Sequence, residues 1–569
     1  MRFELGRWSD VVEQRLAVLV AEDAATRIWA RDPSFWGGDS ARRASVANRL
    51  GWLDIAEQMR ANVAVLGTFA AEVRDAGFTH AVVLGMGGSS LAPEVLRQSV
   101  PARDGHPTLL VLDTTDPVSI AAVRDAVDIE RTLFFVSSKS GTTVEPLSLF
   151  AYFWSLVDTA RPGRTGEQFV AITDAGTPLE ALGREHSFRR IFTNPADIGG
   201  RYSALSYFGL APAAATGIDV KRLLDAGLTA ANDARRPNSS ALRLGAALAE
   251  LAVEGHDKCT FIVSSALDSF GLWAEQLIAE STGKDGRGVV PVVGEPLGSP
   301  MRYGDDRVFV QLRLDGGGEA EDDATAGALV AEGQPLIVLD LEDPHDLGGQ
   351  FFLWEFAIAV AGQVLGINPF DEPNVQESKD NTNRVLAEFE RTGMLDQDAV
   401  GAQVRAVGVS SRGIDPLPLA QTVGGLLEQI RPRDYVAITA FIPQDERIGQ
   451  LFDEIRATIR DEFFVATTLG YGPRYLHSTG QLHKGGPPEG VFLQLTSNDA
   501  LDIEIPGRSF TFAELKRAQA IGDYQSFEQR DRPLLRVHLG DDIINGLVEL
   551  REAIRTAASA VPHGVPRRR

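Results

Sequence analysis

The chain has 569 residues, enough for about three or four domains, and its 44% hydrophobic and 23% charged residues are the proportions of an ordinary globular protein. Its net charge of −23 argues against nucleic acid or an anionic membrane as a partner, because an acidic chain repels phosphate-rich surfaces. With one cysteine, Cys259, no disulfide can form within the chain, which suits a reducing cytoplasm. The N-terminal residues lack the apolar core of a signal sequence, and no apolar run approaches the roughly 20 residues of a membrane span. We therefore expect a cytoplasmic protein.

The first part of the chain is predicted to be helical, because apolar residues recur every three or four positions in residues 5–25 and 45–73. Strand and helix signals then alternate. The predicted strands are residues 80–84, 108–112, 132–136 and 167–172, and the helices between them are residues 91–99, 117–126 and 145–160. This alternation predicts a parallel sheet with helices on both faces.

The same alternation restarts twice further along the chain. After a predicted helical stretch at residues 220–254, strands are predicted at residues 259–263, 288–292, 307–312 and 335–339. A third unit has predicted strands at residues 435–441, 464–469, 490–495 and 534–539, with helices at residues 447–461, 512–524 and 543–556.

These patterns predict an α/β fold with two tandem doubly wound parallel-sheet domains and a C-terminal α/β domain. The N-terminal helical segment should cover residues 1–75. The two tandem domains should cover residues 76–215 and 216–386, and the C-terminal domain residues 387–561. A short basic tail, residues 562–569, is predicted to be disordered.

A loop rich in hydroxyl side chains follows the third predicted strand. Its sequence, VSSKSGTTVEP at residues 136–146, leads from that strand into a predicted helix. Backbone N–H groups at a helix N-terminus attract anions, and Ser and Thr hydroxyls add further donors. We interpret the segment as a phosphate-binding loop, with a simple helix-capping turn as the alternative. The candidate binding residues are Ser138, Lys139, Ser140, Thr142 and Thr143.

A glycine-rich turn follows the first predicted strand, where LGMGGSS at residues 84–90 includes Gly88 and Ser89. Its spacing is not the G-x-G-x-x-G of a dinucleotide site, because Ser stands where the third Gly belongs. No P-loop surrounds Lys139 either, which argues against nucleoside triphosphate hydrolysis. Two anion-binding turns at one sheet edge suit a small sugar phosphate better than an extended dinucleotide.

Three further segments carry candidate reactive side chains. In DIGGRYSALS, the turn at Gly200 can aim Arg201 inward to stabilise an oxyanion. In AEQLIAESTGKDGRG, Gln276 and Glu280 share one helical face, and the helix C-terminus tends to raise the pKa of Glu280, as a general base requires. In NPFDEPNVQESKDNTNRVL, Lys379 could donate a proton to a sugar oxygen. Taken singly, each residue could equally be an ordinary surface side chain.

Together and in this order, the segments resemble the phosphoglucose isomerases, whose tandem sugar-isomerase (SIS) domains are doubly wound α/β units. The resemblance covers residues 78–386. Its motifs are S-K-[ST]-x-T-T at residues 138–143, G-G-R-[FY]-S at 199–203, Q-x-x-x-E-S at 276–281 and F-D-x-x-x-V-x-x-x-K at 370–379. The chain also looks like the isomerase half of bacterial transaldolase/phosphoglucose isomerase fusions, which would account for its long C-terminal unit.

The resemblance implies reversible aldose–ketose isomerisation of glucose 6-phosphate and fructose 6-phosphate through a cis-enediol, in glycolysis and gluconeogenesis, with no metal and no cofactor. Glu280 would move a proton between C1 and C2, Arg201 would stabilise the enediolate, and Lys379 would assist ring opening. The family also implies a homodimer with shared sites. The residues assigned to the substrate are Gly88, Ser89, Ser138, Lys139, Ser140, Thr142, Thr143, Gly200 and Gln276.

The sequence departs from the family pattern at two points. Glu372 stands where the family usually has a glutamine. The family also uses a histidine, placed between the glutamate and lysine motifs, for ring opening, and residues 257–344 contain no histidine. The candidates for this role are His477 and His483, which lie in YLHSTGQLHKGG, and His345.

Two other functions stay open at this point. One is a dual isomerase of glucose and mannose phosphates, since small changes near the sugar C2 could decide that specificity. The other is a non-catalytic sugar-phosphate sensor, which would need the phosphate loop but neither Glu280 nor Lys379.

Overall fold

The computed structural model describes residues 1–316, 320–395, 403–405 and 419–560. The predicted disordered tail lies outside these ranges. The N-terminal segment is mostly helical, as its apolar spacing predicts, but it begins with a strand that the sequence analysis missed. Its elements are β1 (Arg2–Glu4), α1 (Ser9–Ala21), α2 (Ala24–Trp29), α3 (Ser40–Ala47), α4 (Ile55–Ala61) and α5 (Val63–Asp75).

The first sheet has five parallel strands in the order β3-β2-β4-β5-β6. Its elements are β2 (His80–Gly85), α6 (Leu91–Ser99), β3 (Thr108–Leu112), α7 (Pro117–Ala126), β4 (Thr132–Ser137), α8 (Val144–Ala160), β5 (Phe169–Asp174), α9 (Pro178–Glu185), β6 (Arg190–Asn194) and α10 (Tyr207–Ala215). The four predicted strands are confirmed, whereas β6 was not predicted. The strand order reverses between β2 and β4, and ligands of doubly wound sheets bind at the carboxyl ends of the strands beside such a reversal.

The second sheet contains four parallel strands and one antiparallel edge strand, in the order β1-β10-β9-β7-β8. Its elements after α10 are α11 (Val220–Asp233), α12 (Ser240–Val253), β7 (Lys258–Val263), α13 (Phe270–Thr282), β8 (Val290–Val292), β9 (Arg307–Leu314), α14 (Ala320–Ala331), β10 (Leu336–Leu341), α15 (Leu347–Leu365) and α16 (Pro373–Thr392). The single helical stretch predicted at residues 220–254 is two helices. Pro237 precedes the second, and the Ser239 hydroxyl caps it by accepting the Leu242 N–H.

The third sheet also has five parallel strands, in the order β11-β15-β14-β12-β13. Its elements are β11 (Gln403–Arg405), α17 (Leu419–Leu427), β12 (Tyr435–Phe441), α18 (Glu446–Phe463), β13 (Ala466–Tyr471), α19 (Gly480–Gly485), β14 (Gly490–Thr496), α20 (Phe512–Glu528), β15 (Leu534–His538) and α21 (Ile543–Ala560). The three sheets confirm the predicted α/β class. The predicted domain boundaries stay a prediction, and α16 runs across the one at residue 386.

The central helix of the second unit is the most apolar segment of the described chain. Pro344–Leu365 is long and apolar enough to cross a membrane, yet 78% of its apolar window is buried inside the protein. A core helix of a soluble protein has the same character, and α15 packs against α11, α12 and α13. Its C-terminus leads directly into the turn that carries Glu372.

An aromatic cluster fixes two turns of the candidate site against each other. The ring of Tyr202 lies 5.2 Å from that of Trp52 and 5.3 Å from that of Phe370. All three rings are buried. Their neighbours in sequence, Arg201 and Glu372, are therefore held beside each other by core packing.

Candidate active site

The two predicted anion-binding turns lie side by side where the strand order of the first sheet reverses. The Ser137 hydroxyl, at the end of β4, donates a 3.0 Å hydrogen bond to the carbonyl of Ser89 in the 3-10 turn Gly87–Ser89. In the hydroxyl-rich loop, Ser138 donates to Thr143 at 3.1 Å, and Ser140 and Thr142 are hydrogen-bonded at 2.9 Å. Within the described chain, the Thr143 side chain makes no capping bond to α8, so it leaves the first-turn N–H groups of that helix to an anion.

The glycine turn also packs tightly against the 3-10 turn Gly200–Tyr202, which carries Arg201. A Cβ atom on Gly88 would overlap the carbonyl group of Gly200. The Ser203 hydroxyl donates to the carbonyls of both Gly88 and Gly200, at 3.4 and 2.6 Å. The absence of a side chain at Gly88 therefore sets the spacing between the glycine-rich turn and the turn that carries Arg201.

We expect Gly88→Ala to weaken both folding and substrate binding, because the added methyl group must push the two turns apart. Overpacking of this kind costs about 1–3 kcal/mol of unfolding free energy. The check is chemical denaturation together with KM for the sugar phosphate. Gly67→Ala is the control, because a Cβ at Gly67 meets nothing within 4 Å; equal behaviour of the two variants would contradict the tight approach.

Arg201 is the centre of the buried polar network and is only 1% exposed. Its Nε donates to the Ser281 hydroxyl at 2.8 Å, and its Nη2 donates to the carbonyls of Pro369 and Asp371 at 2.7 and 2.9 Å. Its Nη1 lies 3.0 Å from Glu372 and 3.3 Å from Glu280. Four hydrogen bonds and the ion pair with Glu280 hold the guanidinium in place, so it presents a fixed positive charge to the site.

Glu280 lies in the last turn of α13, beside Arg201 and buried with it. Gln276, one turn earlier on the same helix, donates to Glu280 Oε2 at 3.0 Å and to the carbonyl oxygen of His477 at 2.8 Å. Burial raises the pKa of Glu280; Arg201 opposes this rise and the neighbouring Glu372 adds to it. A carboxylate with a raised pKa next to a fixed cation has the character of a general base.

His477 connects the Gln276–Glu280 pair to the hydroxyl-rich loop. Its Nε2 lies 2.9 Å from Oε1 of Glu145, which is in the first turn of α8, and that same oxygen accepts a 2.7 Å hydrogen bond from Gln519. Thr115 in turn donates to the Gln519 carbonyl oxygen at 2.8 Å, which fixes the amide. Although burial of Glu145 favours its protonated form, interaction with His477 and the charge of Lys379 lower the pKa of Glu145. A histidine oriented by a carboxylate can act as an acid and a base.

The other two candidate histidines lie in different surroundings. His483 is enclosed among Tyr435, Phe492 and Phe527, where burial lowers the pKa of His483 to about 3. His345 is bonded to Asp343 at 2.6 Å at the start of α15. Because α15 has 19 residues, its length of about 28 Å separates His345 from the Glu372 turn.

The two candidate lysines are less central than their motifs suggest. The Lys139 ammonium pairs with Asp174 at the end of β5 and donates to the Ala196 carbonyl at 3.2 Å. Lys379 is exposed on α16, and its charge reaches the site through Glu145. The structure thus brings together the two predicted anion-binding turns, Gln276, Glu280, Arg201 and His477, with Lys379 at the rim.

Four residues of the site were missed by the sequence analysis, namely Arg49, Glu145, Lys284 and Gln519. Glu145 had a local signal, since it follows the hydroxyl-rich loop by two residues in SGTTVEP. Lys284 follows the Glu280 motif, and burial lowers the pKa of Lys284 to about 8. Arg49 and Gln519 had no local sequence signal, because the residues that they contact are distant in sequence.

The fold and the site define an intramolecular oxidoreductase, an isomerase of sugar phosphates. A crystal structure of a hypothetical protein from Thermus thermophilus shares the fold, with a TM-score of 0.58 and 26% identity over 68% of this chain and 99% of that one. The family model described as phosphoglucose isomerase matches residues 54–287. A probable glucose-6-phosphate isomerase of Natronomonas pharaonis is 31% identical over 53% of this chain and 78% of its own length. A glucose-6-phosphate isomerase of Carboxydothermus hydrogenoformans is 29% identical over 61% of this chain and 87% of its own. The chain belongs to the phosphoglucose isomerase family.

Proposed function

We propose that this chain interconverts glucose 6-phosphate and fructose 6-phosphate, with Glu280 as the base that moves the proton. The observation that carries the proposal is the contact of Gln276 with both Glu280 and His477, while His477 contacts Glu145 beside the phosphate loop. One six-carbon sugar phosphate can then have its anion on the loop and its C1 and C2 at Glu280. This arrangement favours an enzyme over a sensor, because a sensor needs no buried base.

The proposed reaction begins with the phosphate group bound by the hydroxyls of Ser138 to Thr143 and the N-terminus of α8. His477 protonates the ring oxygen and the ring opens. Glu280 then removes the proton from C2 of the aldose, and the electron pair moves toward C1 to give a cis-enediolate. The hydroxyl proton on O2 passes to O1, Glu280 returns its proton to C1, and the carbonyl of the ketose forms at C2. The fixed charge of Arg201 stabilises the enediolate, and binding of the remote phosphate supplies orientation.

The test is turnover of fructose 6-phosphate by the purified chain, followed by a coupled glucose-6-phosphate dehydrogenase assay. We expect NADPH to form as glucose 6-phosphate is made. Proton NMR of the same reaction detects mannose 6-phosphate, and formation of that sugar without NADPH would identify it as the product instead. No product in either format would reject the proposal.

We also propose a cytoplasmic homodimer that acts without nucleic acid or a membrane. All residues named in the site come from one chain. In a dimer, the second subunit would add further side chains to a site that one chain already assembles. Light scattering on the purified protein measures the mass directly. A mass of one chain, 61.4 kDa, would reject the dimer.

A further inference from the structure

Two carboxylates share one nitrogen of a buried guanidinium in this site. Arg201 Nη1 is 3.3 Å from Glu280 Oε1 and 3.0 Å from Glu372 Oε2. Glu280 and Glu372 therefore compete for the same positive charge. The more negative charge Glu372 carries, the less Arg201 favours the ionised form of Glu280.

A second arginine lies behind Glu372 at the rim of the site. Arg49 Nη2 is 3.6 Å from the other carboxylate oxygen of Glu372, and both side chains are partly exposed. The four residues thus form a row of alternating charge, from Glu280 through Arg201 and Glu372 to Arg49. Although burial favours protonated Glu372, the two arginines outweigh it and lower the pKa of Glu372. Glu372 is accordingly ionised at neutral pH.

The remaining charged groups around Glu280 form a second, separate pair. Lys284 follows α13, and its ammonium is 2.9 Å from Asp371 and 2.6 Å from the carbonyl of Asn368. Its charge acts on both glutamates and favours their ionised forms. Tyr202 stays neutral because burial raises the pKa of its hydroxyl. From the C-terminal unit, the backbone of His477 reaches Glu280 through neutral Gln276. Asp371 is paired with Lys284, so Glu372 is the neighbouring carboxylate whose negative charge raises the pKa of Glu280.

We propose that the Glu372–Arg49 pair sets the proton affinity of Glu280 through the shared Arg201 and so fixes the lower pH limit of catalysis. Glu372 acts as a positioning residue for charge: it touches Arg201, not the reacting carbons. This inference rests on the proposed role of Glu280 as the base. If the proposal holds, removing Glu372 and removing Arg49 shift the pH dependence of kcat in opposite directions. A loss of packing alone would not produce opposite shifts.

Removing the charge of Glu372 should make Glu280 easier to ionise. In Glu372→Gln the amide oxygen still accepts from Arg201, but one negative charge is gone, so the acid limb of kcat should move to lower pH by about one unit. Removing Arg49 leaves Glu372 less compensated. In Arg49→Gln the acid limb should therefore move to higher pH, by a smaller amount that shrinks as salt is added.

The experiment is the pH profile of kcat for both variants and for Arg43→Gln. Arg43 is an exposed arginine on α3, and Arg43→Gln removes the same charge and should leave the limb in place. Using kcat at saturating sugar phosphate for all proteins cancels titration of the substrate itself. Should Glu372→Gln fail to fold, as thermal melting would show, the partly exposed Arg49 still tests the proposal alone.

The outcomes separate this inference from the proposed function. Opposite shifts of the two limbs support it. Unshifted limbs, or shifts in one direction, overturn it even if Glu280→Gln abolishes turnover. Full turnover by Glu280→Gln instead rejects the base, and the inference with it.

Discussion

Replacing Glu280 by glutamine is expected to lower kcat by roughly two to four orders of magnitude, the contribution of a positioned general base. The amide keeps the shape of the side chain and can still accept the hydrogen bond that Gln276 donates. Binding of fructose 6-phosphate should change little, because its phosphate group is bound at a different place. The measurements are kcat from the coupled assay and Kd from isothermal titration calorimetry.

Glu275→Gln is the matched control for this variant. Glu275 is on the same helix α13, is equally buried, and burial raises its pKa to about 7. The charges that lower the pKa of Glu275 against this rise are those of Arg474 and Arg456. We expect near-normal turnover from Glu275→Gln. Wild-type turnover by Glu280→Gln, or an equal loss in both variants, would contradict the assignment of Glu280.

The positions of the two predicted anion-binding turns could be derived from the sequence because their signals are local. The hydroxyl-rich loop and the turn at Gly88 each follow an apolar strand directly, and parallel strands place their carboxyl ends at one sheet edge. The same holds for Gln276 and Glu280, whose spacing of four residues places them on one face of a helix. In each case a few consecutive residues determine the relative positions of the side chains.

The pattern of apolar residues failed to predict two edge strands and the break between two helices. β6 (Arg190–Asn194), at the border of its sheet, has two buried residues among five, and β1 has three residues with no fully buried side chain. Neither has the continuous apolar run that identifies an inner parallel strand. Between α11 and α12, the apolar spacing continued on both sides of Pro237 and concealed the break.

The sequence could not distinguish His477 from the other candidate histidines, because the side chain that His477 contacts is remote in sequence. His477 and Glu145 are 332 residues apart, and their contact depends on how the third unit docks on the first. His483 has the same local sequence signal, yet it is packed into an aromatic core. The shared guanidinium of Glu280 and Glu372 is likewise a product of tertiary packing between three segments.

His477→Gln is expected to lower kcat on fructose 6-phosphate by about two orders of magnitude or more, because ring opening would lose its acid and base. The proton transfer at C1 and C2 should survive, since Glu280 and Arg201 remain. An acyclic substrate separates the two steps. In 5-deoxyfructose 6-phosphate the hydroxyl that closes the ring is missing, so no opening is needed. Proton NMR in D₂O follows exchange at its C1 directly.

The pattern across the two substrates identifies what His477 does. We expect His477→Gln to exchange the C1 proton of the acyclic analogue at nearly the wild-type rate while failing on fructose 6-phosphate. Glu280→Gln should fail on both. Glu145→Gln should resemble His477→Gln with a smaller loss, because it weakens the contact that orients the imidazole but leaves the ring in place. Equal losses on both substrates in His477→Gln would instead place His477 in the proton transfer itself, or in the packing that supports Gln276.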